Sequence, residues 1–253
     1  MSKISDQSLI RLNWVAAILH FVQGVAILVL SKSFELPISV SYLKYNPVSQ
    51  TLQPTATEIF NLSLPLLVAI FFFLSSLAHL TIATFYRKKY LSDLKLGINK
   101  GRWIEYSISA SFMIVAISLL VGIYDLASLL AAFGLVAIMN LCGLVMEIHN
   151  QTTKKTSWVS YWVGCLAGII PWLMIALYLW AGANNDSAAP DFVYWIFVSI
   201  FIFFNCFAIN MVLQYKKVGP WKDYLYGERV YIILSLVAKS ALAWQVFAGT
   251  LRP

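Results

Sequence analysis

Charge is scarce in this chain. Only 11 % of its 253 residues are Asp, Glu, Lys or Arg, against about 25 % in ordinary soluble domains, and mean hydropathy is +0.76. A disordered chain and a soluble domain are both excluded. Cysteine is scarce too. Cys142, Cys165 and Cys206 all lie in apolar runs, so they read as small packing residues, with neither a disulfide framework nor metal-ligand spacing. No Gly-rich phosphate loop, HExxH, paired-cysteine motif or GxSxG occurs, and the chain does not read as an enzyme. The basic connections are short, so the net charge of +7 reads as membrane topology rather than as a nucleic-acid surface.

What the chain has in quantity is apolar sequence, 60 % of it, with 15 % aromatic residues. Seven runs are long enough to cross about 30 Å of hydrocarbon. They lie at about Leu9–Leu30, Ile59–Phe85, Trp103–Tyr124, Leu126–Ile148, Trp158–Trp180, Phe192–Leu213 and Val230–Leu251. Runs such as Leu66–Phe73 are apolar all round, which excludes barrel strands. The first run is too long for a signal h-region and lacks a convincing cleavage site, so it reads as a mature helix. The expected fold is an all-α seven-helix membrane bundle, a single domain over residues 1–253. Between the first two runs, about Ser31–Glu58, Ile38, Val40 and Tyr42 alternate with Ser39 and Ser41. Asn46-Pro47 breaks the pattern and Val48–Gln53 follows, which predicts a β-hairpin on the membrane surface.

Lysine and arginine set the orientation. Fourteen fall in the N-terminus and the second, fourth and sixth connections, and three (Lys32, Lys44, Arg252) on the opposite side. The N-terminus is expected in the cytoplasm and the C-terminus outside. The setting is then the plasma membrane, as a multi-pass protein.

An ionisable group at the bilayer centre costs about 2.5–3.5 kcal/mol on insertion scales. Lys239 lies about nine residues, roughly 14 Å, from either end of the last run, too far for a side chain of about 6 Å to snorkel. An uncharged amine in apolar surroundings condenses with a carbonyl to form a Schiff base. Ser235, one turn earlier on the same face, is placed to hydrogen-bond the imine nitrogen. Glu105 is the natural counterion, and Arg102, three residues earlier, is expected to hold its carboxylate ionised. For Glu105 to reach the level of Lys239, its helix must begin within Lys95–Gly101. His20, with Gln23, and His79, with Ser75 and Ser76, complete a polar cavity on the cytoplasmic side. Asp125, Asp186 and Asp191 belong to outer connections; Glu147 and His149 read as interfacial. Trp103, Trp158 and Trp180 read as belt anchors, whereas Trp172, Tyr178, Phe203, Phe204 and Phe207 are candidate pocket walls. Pro171 should kink its helix or open local space.

Seven spans with a lone lysine in the last resemble the microbial rhodopsin superfamily. An inward N-terminus and a strand-like first outer connection look like the heliorhodopsins, over essentially the whole chain. The resemblance implies all-trans retinal on Lys239, Glu105 as single counterion, and Ser235 where pumping relatives have a second carboxylate. His20 and His79 match that family's polar cavity. Tyr106, Ser109, Met139, Pro171 and Phe204 are the implied pocket residues. Pumping relatives carry acceptor, hydroxyl and donor where this chain has Glu105, Ser109 and Ala116, so the donor carboxylate is missing. The resemblance implies a light-sensing photoreceptor, isomerising to 13-cis with internal proton transfer and no net ion pumping. It also implies a homodimer and sensory transduction to an unknown cytoplasmic partner. Three rivals remain at this stage: a light-driven ion transporter or channel, a retinal-free, proton-coupled seven-helix transporter, and a bundle whose buried Lys239–Glu105 pair is only structural.

Overall fold

The structure is a computed structural model describing residues 4–185 and 187–253; Lys3 and Asp186 lie outside the described residues. Among those described there are eight α-helices and one antiparallel hairpin: α1 (Asp6–Leu30), β1 (Glu35–Asn46), β2 (Thr51–Ser63), α2 (Leu64–Ala83), α3 (Arg87–Lys95), α4 (Lys100–Leu120), α5 (Leu126–His149), α6 (Val159–Ala183), α7 (Asp191–Tyr215) and α8 (Tyr224–Val246). A π-helical turn, Phe247–Leu251, extends α8. Seven of these helices, all but α3, are long and apolar enough to span a membrane. All but one of the expected runs became one such helix with shifts of a few residues. The exception is the second, whose first residues, Ile59 to Ser63, belong to β2.

The helix starts follow from short polar side chains that satisfy otherwise unpaired backbone donors. Ser5 accepts from Ser8 N–H, Asn99 from Arg102 N–H, Asp125 from Ser128 N–H and Asp223 from Leu225 N–H. Asn99 matters most, because it starts α4 at Lys100, inside the window that Glu105 requires. Pro171 lies inside a continuous α6.

The hairpin pairs Glu35 with Ser63 and Asn46 with Thr51, with a bulge between Ile38 and Ser39. Asn46 Oδ1 accepts from the N–H groups of Val48 and Ser49 and closes the turn. Leu36 and Ile38 are buried while the outer half of β1 is exposed. The inner half is tied to the bundle at α5: Ser39 N–H donates to Tyr124 O, and Ser41 N–H donates to Asp125 Oδ1 at 3.1 Å.

The bundle is chemically lopsided. Towards the hairpin, the core is apolar, with Ile27, Leu67, Phe71, Ile114, Ile117, Leu242 and Val246 fully or almost fully buried. Every buried Asp, Glu, Lys, Arg or His among the described residues sits around Lys239 or between it and the α3 end.

Candidate functional site

Lys239, on α8, is 3 % exposed. Its Nζ donates to Ser235 Oγ at 2.7 Å and to Glu105 Oε1 at 3.2 Å. A side chain on a helix leans towards the helix N-terminus, so Nζ reaches from the apolar half towards the polar one and meets α4 there. Tyr106 presents its ring 5.2 Å from Nζ. Ser75 Oγ on α2 donates to the same Glu105 oxygen at 2.5 Å. The buried ion pair thus carries hydroxyl groups on both partners, the condition for tolerating charge in a low-dielectric interior.

The histidines form a separate layer beside this pair. His20 and His79 stack with ring centroids 5.6 Å apart. His79 Nδ1 and Asn13 Oδ1 are 2.7 Å apart, whereas both ring nitrogens of His20 and Nε2 of His79 have no partner among protein groups. Ser76 Oγ donates to Ala17 O across the α1–α2 contact, so it fastens two helices rather than facing Glu105. Ser109 Oγ is buried without a partner. A cavity of about 20 Å³ is lined by Asn13, His79, Tyr90, Arg102 and Glu105, among others. That is enough for a water molecule. His79 Nε2, Tyr90 Oη and Arg102 Nε all lack partners, so three residues lining the cavity have a polar group to offer it.

Arg102 differs from expectation. Its guanidinium is bound to Glu147 and Glu228, not to Glu105. It lies 3.9 Å from the Tyr231 ring centroid and 4.5 Å from that of Trp103. The helical pitch explains this: Arg102 and Glu105 share a broad face, but the arginine is a turn closer to the helix start, where α5 ends and α8 begins. Glu147 is therefore buried and paired, not interfacial; Asn99 N–H donates to it and Asn99 Nδ2 to Glu228. Trp103, at 6 % exposed, is part of this wall rather than a belt anchor. Glu228 and Asn13 escaped the sequence reading because they stand at span ends, where a polar residue needs no explanation.

Beyond Nζ the site becomes long and apolar. A small cavity of about 40 Å³ is lined by Lys239, Ser235, Tyr106, Ala110 and Met113. It shares Met139, Asn140, Phe204 and Phe207 with a cavity of about 320 Å³ between α5, α6 and α7 that reaches Trp103 and Trp172. Small residues make the approach of α5 and α6 possible: a Cβ on Gly164 would lie 3.2 Å from Met139 O. Of the expected pocket residues, Met139 and Phe204 line both cavities and Tyr106 the small one. Of the other candidate wall residues, Trp172 and Phe207 line the large cavity. Tyr178 faces outward, and Pro171, Phe203, His20 and Ser109 line none of the three cavities. Pro171 is buried in the helix wall beside Trp172 instead.

An amine at the narrow end of a long aromatic-walled cavity, with one carboxylate against it, fits an elongated apolar aldehyde such as retinal. Fold and site together define a rhodopsin-type seven-helix membrane protein. The fold recurs in a light-driven proton pump from Leptosphaeria maculans, at TM-score 0.64 and 17 % identity over 96 % of this chain and 95 % of that one. It recurs also in cyanorhodopsin from the cyanobacterium Tolypothrix sp., at TM-score 0.62 and 13 % identity over 96 % and 92 %. No curated protein matches the chain. The sequence profile of the heliorhodopsin family matches residues 9–251, and the chain belongs to that family. Membership and fold together support a retinal-based, light-responsive membrane protein.

Proposed function

We propose that this protein is a light sensor that keeps its proton movements inside the bundle. The observation that carries the reading is Lys239 Nζ, 3.2 Å from the single carboxylate Glu105 at the blind end of an apolar cavity. Retinal, all-trans when bound, would condense through its aldehyde with the Lys239 amine, releasing water, and would supply light absorption and isomerisation to 13-cis. Glu105 balances the positive charge held at Nζ. Ser75 and Ser235 fix the two partners by hydrogen bonds. Tyr106, Met139, Phe204, Phe207 and Trp172 exclude water along the cavity and orient its occupant.

Among the described residues, the buried ionisable groups that a proton leaving Nζ can meet lie on one side only. Glu105 and Ser235 touch Nζ, and His79, Asn13 and the buried His20 follow towards the α3 end. Ala116 stands where a pump would need a donor, and it is buried in the apolar half. A group of acceptors with no matching donors retains a proton rather than passing it across. The lysine and arginine distribution puts this polar half on the cytoplasmic side of a plasma membrane, with the N-terminus inside. A shift of charge there would move the α3 end of the bundle, the surface available to a signalling partner. A homodimer is the expected assembly.

Absorption spectroscopy of the purified protein with added retinal tests the reading. The wild type should form a pigment absorbing in the visible, Lys239→Ala none, and borohydride under illumination should fix the label on Lys239. Light-induced pH changes in proteoliposomes should be absent. A label elsewhere overturns the cofactor assignment, and sustained acidification or alkalinisation overturns the sensor.

A further inference from the structure

The wide end of the cavity is less apolar than a plain hydrocarbon ring requires. Asn140, 7 % exposed and in the middle of α5, lines both the narrow and the wide cavity. Asn205, in the middle of α7, lines the wide one from the opposite side and stands at its lipid-facing mouth. Each carboxamide donates its N–H to the carbonyl one turn back, Asn140 to Val136 O at 2.9 Å and Asn205 to Phe201 O at 2.8 Å. A backbone carbonyl accepts only from the nitrogen, so these bonds fix which way each amide points. The two Oδ1 atoms are then left as acceptors, and no described residue donates to either. Ser160, on the same cavity, also makes no side-chain hydrogen bond. At mid-span, surrounded by Phe201, Phe204 and Trp172, unused acceptors are costly.

We propose that this end of the cavity recognises a ring hydroxyl, so that the site prefers a retinoid hydroxylated on its ring over unsubstituted retinal. The proposal rests on the retinal-binding reading of the site. The hydroxyl would donate to Asn140 or Asn205, and the rest of the ring would pack on the aromatic wall. One hydrogen bond of this kind corresponds to a preference of about threefold to tenfold.

The test uses ring fragments without an aldehyde, which separates ring recognition from bond formation at Lys239. Binding of β-ionone and of ring-hydroxylated β-ionone to the retinal-free protein is followed by quenching of tryptophan fluorescence, since Trp103 and Trp172 line the cavity. The hydroxylated fragment should bind about threefold to tenfold tighter. The preference should fall to parity in Asn140→Leu/Asn205→Leu while β-ionone binding persists, which also reports a folded cavity. Asn205→Leu alone, at the lipid-facing mouth, should already lower it. Equal binding of the two fragments by the wild type overturns the proposal, as does a preference that survives both substitutions. Pigment formation with retinal is scored separately. If no pigment forms while the ring preference holds, the retinal reading fails alone; if pigment forms without the preference, only this inference fails.

Discussion

Replacing Arg102 by methionine should be among the most destabilising single changes in the protein that leave Lys239 untouched. Arg102 is 5 % exposed and Glu147 and Glu228 are 1 % exposed each. Methionine keeps the apolar length of the side chain but strands both carboxylates. Breaking a buried ion pair by removing one partner costs about 3–5 kcal/mol, and here one removal leaves two groups. Stacking on Tyr231 and Trp103 is lost as well, about 2 kcal/mol when desolvated. Part of that cost is recovered if one carboxylate takes up a proton, so about 3–5 kcal/mol is the working figure. For a chain of this size that is roughly 6–20 °C in Tm. Thermal unfolding in detergent, followed by tryptophan fluorescence, is a suitable assay because Trp103 sits against the arginine. Arg102→Met/Glu147→Gln/Glu228→Gln should recover most of the loss, since a neutral cluster leaves no buried charge unpaired. A single variant within about 1 kcal/mol of wild type, or a triple variant no better than the single, would refute the view that this cluster closes the α3 end by charge pairing.

Glu105→Gln should move the visible absorption maximum of the retinal-loaded protein, because it removes the one carboxylate at Nζ while the Ser235 contact remains; an unchanged spectrum removes Glu105 from the counterion role. At the hairpin, N–H donors from Ser128 and Ser41 hold the Asp125 carboxyl below its usual value of 3.8. A depressed acid stabilises its contacts above its unfolded pKa and loses that contribution as pH falls through the folded one. The protection of the Ser41 amide, the intrinsic exchange rate divided by the observed one at the same pH, should therefore stay high at neutral pH and fall only in acid below pH 3.8, and Asp125→Asn should lower it at neutral pH. Gly164→Val should lower the unfolding temperature, since its Cβ would sit 3.2 Å from a backbone oxygen of α5 that has no rotamer to yield; overpacking of this kind costs about 1–3 kcal/mol, and a variant as stable as wild type would show that α5 and α6 separate freely.

Much of this arrangement was readable from the chain because hydrophobic length and isolated charge are strong signals. The hairpin showed in the alternation from Ile38 to Tyr42, and Lys239 stood out because nothing near it in sequence explains it. The pairing errors have one physical origin: which group pairs with which depends on helix ends, and those are set by capping. Starting α4 at Lys100 puts Arg102 in its first turn, beside the ends of α5 and α8, and so at the centre of a buried cluster instead of against Glu105. Starting α8 at Tyr224 brings in Glu228, which had read as loop. Ile59 to Ser63 continued as strand because a backbone pairing with Glu35–Ile38 was available, and no local pattern reveals a long-range partner. The acceptors of Asn140 and Asn205 were invisible for a related reason, since an i−4 bond and a cavity on the other side of the amide become visible only once three helices are assembled.

The lopsided distribution of polarity is also the physical argument behind the proposed sensor reading. An ion path through a bundle needs exchangeable groups above and below the reactive centre. Here the layer from Phe71 to Val246 on the hairpin side holds no buried ionisable group among the described residues, while the α3 side ends in the Arg102 cluster rather than in open water. On the proposed sensor reading, a charge displaced from Nζ stays within the polar chamber bounded by α1, α2, α4 and α8. Its energy would then go into rearranging that chamber's walls. Those walls run directly into α3 and the connections at that end through Asn99, Asp93 and Tyr90, all buried. In the proposed reading, closure on both sides is what separates a device that changes its own surface from a conduit built of the same seven helices.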